Sequence, residues 1–292
     1  MPNPAAAAGA STAEPWQILR WQTRQLAYRE TLAKGVELTL LRIPAGRFWI
    51  GAPEGEEGSL ESERPVHAVE LGEFLLGRTP VTQAQWRAVA QWQPETGQRW
   101  SRRLESEPST FTGENRPVVN VSWHDAMEFC RRLRQRTGKH YRLPSEAQWE
   151  YACRAGTTTP FHFGETISTE LANYNGNYSY GSGNKGESPL QTTDVASFPA
   201  NAWGLHDMHG NVWEWCADHW HDEYGKQPPV DGGPWLDDQA EGRQRRLLRG
   251  GSWNILPVNC RSAYRGRNRQ SYRNYVVGFR VCCLPQDQLL YP

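Results

Sequence analysis

Arg249-Gly-Gly-Ser-Trp253, Cys260-Arg-Ser-Ala263 and Gly278-Phe-Arg280 form a framework in the C-terminal part of the chain, with short runs of unlike residues between them. The runs are Asn254-Ile255-Leu256, Val258-Asn259, Tyr264, Gly266, Asn268, Ser271 and Asn274-Tyr275-Val276-Val277. Neither a period of 2 nor one of 3.6 organises them, so they do not read as one buried face of a strand or helix. The framework pieces combine turn glycines, small residues and arginines with anchoring aromatics. Such a stretch reads as a scaffold that carries a display surface.

Four further segments accompany this framework: Ile43-Pro-Ala-Gly46 with Phe48-Trp-Ile-Gly51, Thr79-Pro-Val-Thr82, Arg142-Leu-Pro-Ser-Glu-Ala-Gln-Trp-Glu150, and Gly204-Leu-His-Asp-Met-His-Gly-Asn-Val-Trp-Glu-Trp215. With the C-terminal framework, they resemble the formylglycine-generating-enzyme (sulfatase-modifying-factor) family, over residues 36–283 and in the family's order. The resemblance implies an α+β, C-type-lectin-like fold with little regular secondary structure. It does not by itself imply an activity, because function belongs to the site and not to the fold.

The chain has 292 residues, and no Gly/Ser- or Pro-rich linker divides it, which favours one domain. It is expected to comprise an N-terminal tail and helical extension over 1–35, the lectin-like domain over 36–283 and a C-terminal tail over 284–292. With 14 Trp against 3 Met and a mean hydropathy of -0.75, a core of Trp and Tyr under long polar loops fits better than a Leu/Val sheet core. Lys+Arg and Asp+Glu balance at 32 each, so no global field favours nucleic acid or an anionic membrane. No apolar run approaches the roughly 20 residues of a membrane helix. The N-terminus has neither a basic n-region nor an apolar h-region and does not read as a secretory signal. Cysteines 130, 153, 216, 260, 282 and 283 are scattered, which suits a reduced cytoplasm better than a disulfide scaffold.

Residues 14–32, with Trp16, Ile18 and Leu19 on one side, are helix-prone, and Gly35 separates them from a β-rich run over 36–43. The Pro44-Ala-Gly46 turn predicts a hairpin into Arg47-Phe-Trp-Ile50. Thr82-x-x-Gln85 and Ser145-x-x-Gln148 are capping-box patterns that predict helices over 82–92 and 145–155, the second with Gly156 as its terminator. A third helix is expected over 122–136. The loop over 94–117 should be exposed, and residues 157–203 and 221–246 carry few strand signals, as the resemblance implies.

By the same resemblance, one of the family's paired catalytic cysteines falls on Cys260 and the other on Ile255. An isoleucine offers neither thiolate nor metal affinity, so the two-sulfur copper site cannot form and Cys260 reads as a small buried residue. Ergothioneine-type sulfoxide synthases share the fold but draw iron ligands from a helical domain, and residues 1–35 contain no histidine. His206, His209, His219 and His221 read as structural or surface residues. Neither copper nor iron is expected. Calcium is the ion the resemblance supports, with Asp207, Gly210, Val212 and Glu214 at the places of a family calcium loop. A second family site would include Asn173 and the Tyr174 carbonyl. Gly181, Gly183 and Gly186 lack the strand and helix of a phosphate loop. The arginines 243, 245, 246 and 249 read as an exposed approach to a strand.

Within the family, bacterial members serve as variable proteins of diversity-generating retroelements, in which asparagine codons scatter at fixed positions. The pattern here resembles such a variable region. Asn254, Ile255, Leu256, Val258, Asn259, Tyr264, Gly266, Asn268, Ser271, Asn274, Tyr275 and Val276 are then the candidate ligand-contacting positions. Tyr264, Tyr272 and Tyr275 would be amphipathic anchors. The expected function is non-catalytic binding of a protein or other ligand. The alternative is a divergent oxidase or nonheme-iron enzyme of the same family, for which Cys260 would be the catalytic candidate.

Overall fold

The computed structural model describes residues 24–97, 99–225, 227–236 and 244–285. The first strands are β1 (Ala27–Ala33), β2 (Val36–Ile43), β3 (Gly46–Ile50), β4 (His67–Leu71) and β5 (Phe74–Gly77). With β6 (His140–Arg142) and β11 (Cys282–Leu284) they build a five-stranded sheet ordered β1-β2-β5-β11-β6 and a separate β3-β4 ribbon. β2 explains why that sheet sits at the centre. Leu38 and Leu40 enter one apolar cluster, with Trp86, Phe129 and Phe279, while Leu41 and Ile43 enter a second, with Phe74, Trp149 and Tyr151. A strand buried on both faces needs the near-continuous apolar run found there.

Residues 27–33 correct the helical expectation for 14–32. They alternate, with Tyr28, Glu30 and Leu32 the less exposed side, and pair antiparallel with β2. Edge pairing and burial of Leu32 override a helix-compatible composition. The remainder of that segment, Trp16, Ile18 and Leu19 included, lies outside the described residues. The hairpin after Pro44 is also corrected: β2 pairs with β1 and β5, while β3 crosses to β4. β11 carries the sheet to Leu284, the first residue assigned to the C-terminal tail, and residues 286–292 are outside the described set.

The helices are α1 (Gln83–Ala90), α2 (Trp123–Thr137) and α3 (Glu146–Arg154). Each begins on a reciprocal capping box, Thr82 with Gln85, Ser122 with Asp125 and Ser145 with Gln148. Both partners satisfy an N–H that the first turn leaves unpaired. At the end of α3 it is Ala155 that takes the left-handed conformation (φ 46°), one residue before Gly156. Every residue of α3 is buried.

β7 (Trp213–His219), β8 (Arg245–Arg249), β9 (Gly266–Arg269) and β10 (Val277–Gly278) form the second sheet, ordered β10-β7-β8-β9. The long segment between α3 and β7 has no regular element. Part of it wraps a third cluster of Phe161, Ile167, Tyr174, Tyr180 and Cys260.

Four fully buried arginines of the C-terminal framework tie it to the remainder of the fold, each through a buried glutamate. Arg261 forks onto Glu63 at 2.8 and 2.9 Å, Arg280 onto Glu214 at 2.6 and 2.7 Å, and Arg265 onto Glu146 at 2.7 and 3.1 Å, while Arg249 pairs with Glu150. Burial alone would push Glu146 up, but Arg265 and Arg249 hold it below the ordinary carboxylate range. Glu146 and Glu150 lie one turn apart on α3, so one helix receives both Arg249 and Arg265.

Removing one partner of such a pair strands a buried charge. Glu214→Gln, which leaves Arg280 facing only the Gly77 and His206 carbonyls, should cost about 3–5 kcal/mol in urea unfolding. A paired Glu214→Gln, Arg280→Met variant should recover part of that. A loss under about 1 kcal/mol for the single change would show that the pair does not hold this part of the fold.

A second prediction concerns His209, buried edge-on to Phe161. Its Nδ1–H donates to the Cys260 carbonyl at 2.8 Å, and the His162 N–H donates to its Nε2 at 3.0 Å, so the neutral ring is the one that fits. Burial pushes its pKa down to about 4. Between that value and the unfolded value near 6.5, the unfolded chain binds more protons, so stability rises with pH through this window. The stability gap between the wild type and His209→Gln should therefore be full above pH 6.5 and shrink by up to about 3 kcal/mol as pH falls to 4. A gap independent of pH would contradict this assignment.

Candidate ligand-binding surface

The backbone after β8 turns on two glycines. Gly250 (φ 95°) and Gly251 (φ 75°) are both left-handed, and a Cβ on Gly251 would stand 2.5 Å from the Cys260 sulfur. Residues 257–260 form a single 3-10 turn. From there the chain passes Arg261 and Arg265, both locked inside, before β9. The backbone is thus fixed at Gly250, Gly251, Arg261, Arg265 and Arg280, and between these points outward side chains alternate with buried ones.

Asn254, Leu256, Ser271 and Tyr275 are exposed, while Ile255, Val258, Asn259, Tyr264, Gly266, Asn268, Asn274 and Val276 are half-buried. None of these positions is buried. Trp253, Cys260, Ala263, Phe279 and Arg280, which alternate with them in sequence, are all buried. The contrast matters because a core position cannot take Gly, Ile or Tyr interchangeably without a cost of several kcal/mol.

Two indoles organise part of this surface. The Trp213 ring lies 5.8 Å from the Tyr264 ring, and the backbone N–H of Trp213 donates to the Val276 carbonyl at 2.8 Å. A Cβ on Gly266 would meet the same indole at 3.1 Å, so a larger residue there requires Trp213 to give. Trp253 lies 5.8 Å from both Tyr275 and Phe111. Ile255 and Val258 lean instead on the third apolar cluster. Asn268 shares the half-buried side of β9 with Gly266, and the Asn274 carbonyl accepts from the Asn120 N–H at 2.9 Å. Sequence reasoning missed Trp213 and Phe111 as the floor beneath these positions. Trp213 sits inside a motif read for calcium, and the contact of Phe111 arises only through tertiary packing.

At that motif Asp207 is buried, and its Oδ2 accepts from the Ala196 N–H at 2.8 Å while its Oδ1 has no donor. Burial pushes its pKa up to about 6. Asn173 Oδ1 is likewise buried without a donor, and Asp207, Gly210 and Asn173 line one cavity of about 10 Å³. That is room for one water or ion, and an orphaned carboxylate oxygen fits a hard cation. Glu214 is differently placed. Both its oxygens accept from Arg280, and Oε2 also accepts from Trp149 Nε1 at 2.8 Å. The Gly210 carbonyl accepts from the Val212 N–H at 2.9 Å. A cation would find its free acceptor at Asp207, and at Glu214 only oxygens already engaged.

Cys260 is fully buried, and burial pushes its thiol well above the ordinary range. Ile255 packs against the cluster that contains it. The histidines serve separate elements: His206 Nδ1–H donates to the Phe198 carbonyl at 2.8 Å, and His221 stacks on Trp235 at 3.6 Å, beyond the end of β7. The arginine approach to β8 is corrected. Arg245 is exposed as expected, but Arg249 is fully buried on Glu150, and Arg246 is buried over the Trp123 ring at 3.8 Å. Glutamates on a distant helix and an indole on α2 draw them inward, and their spacing in sequence gives no sign of either. Arg243 lies outside the described residues.

The sulfatase-modifying factor enzyme 1-like domain family matches residues 29–283. The formylglycine-generating enzyme of Streptomyces coelicolor is 30% identical, over 82% of this chain and 87% of its own. A Chlamydia pneumoniae relative named serine/threonine-protein kinase pkn1 is 33% identical over 82% of this chain, which spans only 37% of that relative's length. Among solved structures, Treponema denticola variable protein 1 superposes with a TM-score of 0.70 at 26% identity, covering 89% of this chain and 99% of its own. With its few helices, two larger sheets, a two-stranded ribbon and long irregular segments, the chain has the α+β, C-type-lectin-like fold and belongs to the sulfatase-modifying factor enzyme 1-like family.

Proposed function

We propose that this protein is a non-catalytic binding protein whose C-terminal surface, residues 254–276, recognises a ligand, most simply another protein. One observation carries the reading: side chains that reach solvent alternate with framework residues locked inside on glutamates and glycine turns. The likeness to a variable protein of the same fold supports it. Tyr264 and Tyr275, held beside Trp213 and Trp253, supply rigid amphipathic contact area at low entropic cost, and the asparagines and Ser271 supply adaptable hydrogen bonds. The family's oxidase chemistry fits this chain poorly, because Ile255 stands where a second sulfur would be needed and the Cys260 thiol resists ionisation.

Calcium belongs to this reading as a brace beneath the surface and not as a reactant. It would rest on Asp207 and the carbonyls of the turn. Asp207 is charged at a buried position only above its raised pKa, so the benefit of a cation should be full at pH 7.5 and largely absent at pH 5. Chelator should lower the melting temperature at pH 7.5 and hardly at pH 5. Equal melting with and without chelator at both pH values would remove calcium from the account.

Deep sequencing of the gene across a population of cells that carry it tests the binding reading. Substitutions should concentrate in the codons for Asn254, Ile255, Leu256, Val258, Asn259, Tyr264, Gly266, Asn268, Ser271, Asn274, Tyr275 and Val276, and spare Arg249, Arg261, Arg265 and Arg280. Substitutions spread evenly over both sets would count against it. So would conversion of a cysteine-containing peptide to its formylglycine form by the purified protein.

A further inference from the structure

A cavity of about 370 Å³ opens beside α2, lined by Arg102, Arg131, Arg134 and Arg142 together with Glu128 and His124. That volume falls at the small end of ligand pockets. The display surface does not include these residues, and none of the motifs behind the family likeness uses the cavity as a whole.

The charge in this cavity is not balanced from within. Glu128 is the carboxylate on its wall, and it is already saturated: Arg131 forks onto it at 2.8 and 2.9 Å, Arg132 reaches it at 3.1 Å, and Ser101 donates to it as well. Arg102 pairs with Asp125 at 3.0 Å, but Asp125 is shared with Arg273 at 2.7 Å. Arg142 donates to neutral oxygens, the Leu143 carbonyl at 2.9 Å and Gln148 Oε1 at 2.8 Å. Among the described residues the Arg134 guanidinium has no acidic partner and is exposed. Burial, and then Arg102, pushes the His124 pKa below the usual imidazole range, so the ring is neutral at pH 7.

Guanidinium groups that converge on a cavity without matching carboxylates repel one another, and a bound anion relieves that cost. Their planar forks match phosphate oxygens two at a time. Met127, Cys130 and Tyr141 add apolar wall between the charges.

We propose that this cavity is a second binding site, for a small organic phosphate: a phosphomonoester or diphosphate group held by Arg102, Arg134 and Arg142, with its apolar body against Met127 and Tyr141.

Titration calorimetry of the full chain with inorganic pyrophosphate at low ionic strength tests this directly. One site should be seen, with affinity that falls steeply as salt is added. Arg134→Glu should weaken binding at least tenfold while the ligand-free chain stays cooperatively folded, because that side chain is exposed and holds no acidic partner among the described residues. Arg269→Glu, at an exposed arginine on β9, should bind as the wild type does. The proposal fails if millimolar pyrophosphate gives no heat, if Arg134→Glu binds like the wild type, or if Arg269→Glu abolishes binding instead.

Discussion

Four buried glutamates, Glu63, Glu146, Glu150 and Glu214, set the course of the C-terminal chain by pairing with Arg261, Arg265, Arg249 and Arg280. They come from a turn before β4, from one face of α3 and from β7, so the C-terminal chain is anchored to three separate parts of the fold. A buried ion pair is weak evidence for net stability, since apolar residues of equal volume can do as well. Its value lies in geometry. A guanidinium with two oxygens facing it has essentially one acceptable position, and each pair therefore fixes the backbone at one point, so that side chains reaching solvent between those points are not needed to place it.

That division of labour explains how one segment can be rigid and permissive together. Among the half-buried and exposed positions between the arginines, Tyr264 and Tyr275 rest beside the rings of Trp213 and Trp253. Gly266 is confined, with an indole 3.1 Å and the Leu248 carbonyl 3.2 Å from where a Cβ would stand. His209 supports the same segment from beneath through the Cys260 carbonyl, while Asp207 accepts from the Ala196 N–H in the turn that leads into β7.

Local signals carried much of this structure into the sequence. Each capping box is a short-range pattern in which two side chains satisfy two N–H groups, so those at Thr82 and Ser145 could be read without knowing the fold, while the box of Ser122 with Asp125 was not read. The alternation of framework and unlike residues after Trp253 was legible for a similar reason: locked positions and outward ones obey different rules. Long-range choices were not legible. Ala27–Ala33 became a strand because β2 was there to pair with, and the chain after Pro44 found its partner in β4. Arg249 read as an exposed charge because Glu150, far away in sequence, cancels the cost of burying it. The orphaned oxygens of Asp207 and Asn173 emerge only when both line one small cavity.

The central claim is that the buried framework, its ion pairs and its glycine turns, fixes this backbone and the outward residues do not. Amide hydrogen exchange on a variant carrying serine at all the outward positions from Asn254 to Val276 tests it most directly. Protection at the backbone amides of residues 249–253, 260–265 and 278–280 should match the wild type. Loss of protection at those amides, in a variant whose remaining core still exchanges slowly, would show that the outward side chains hold the segment and would contradict the account.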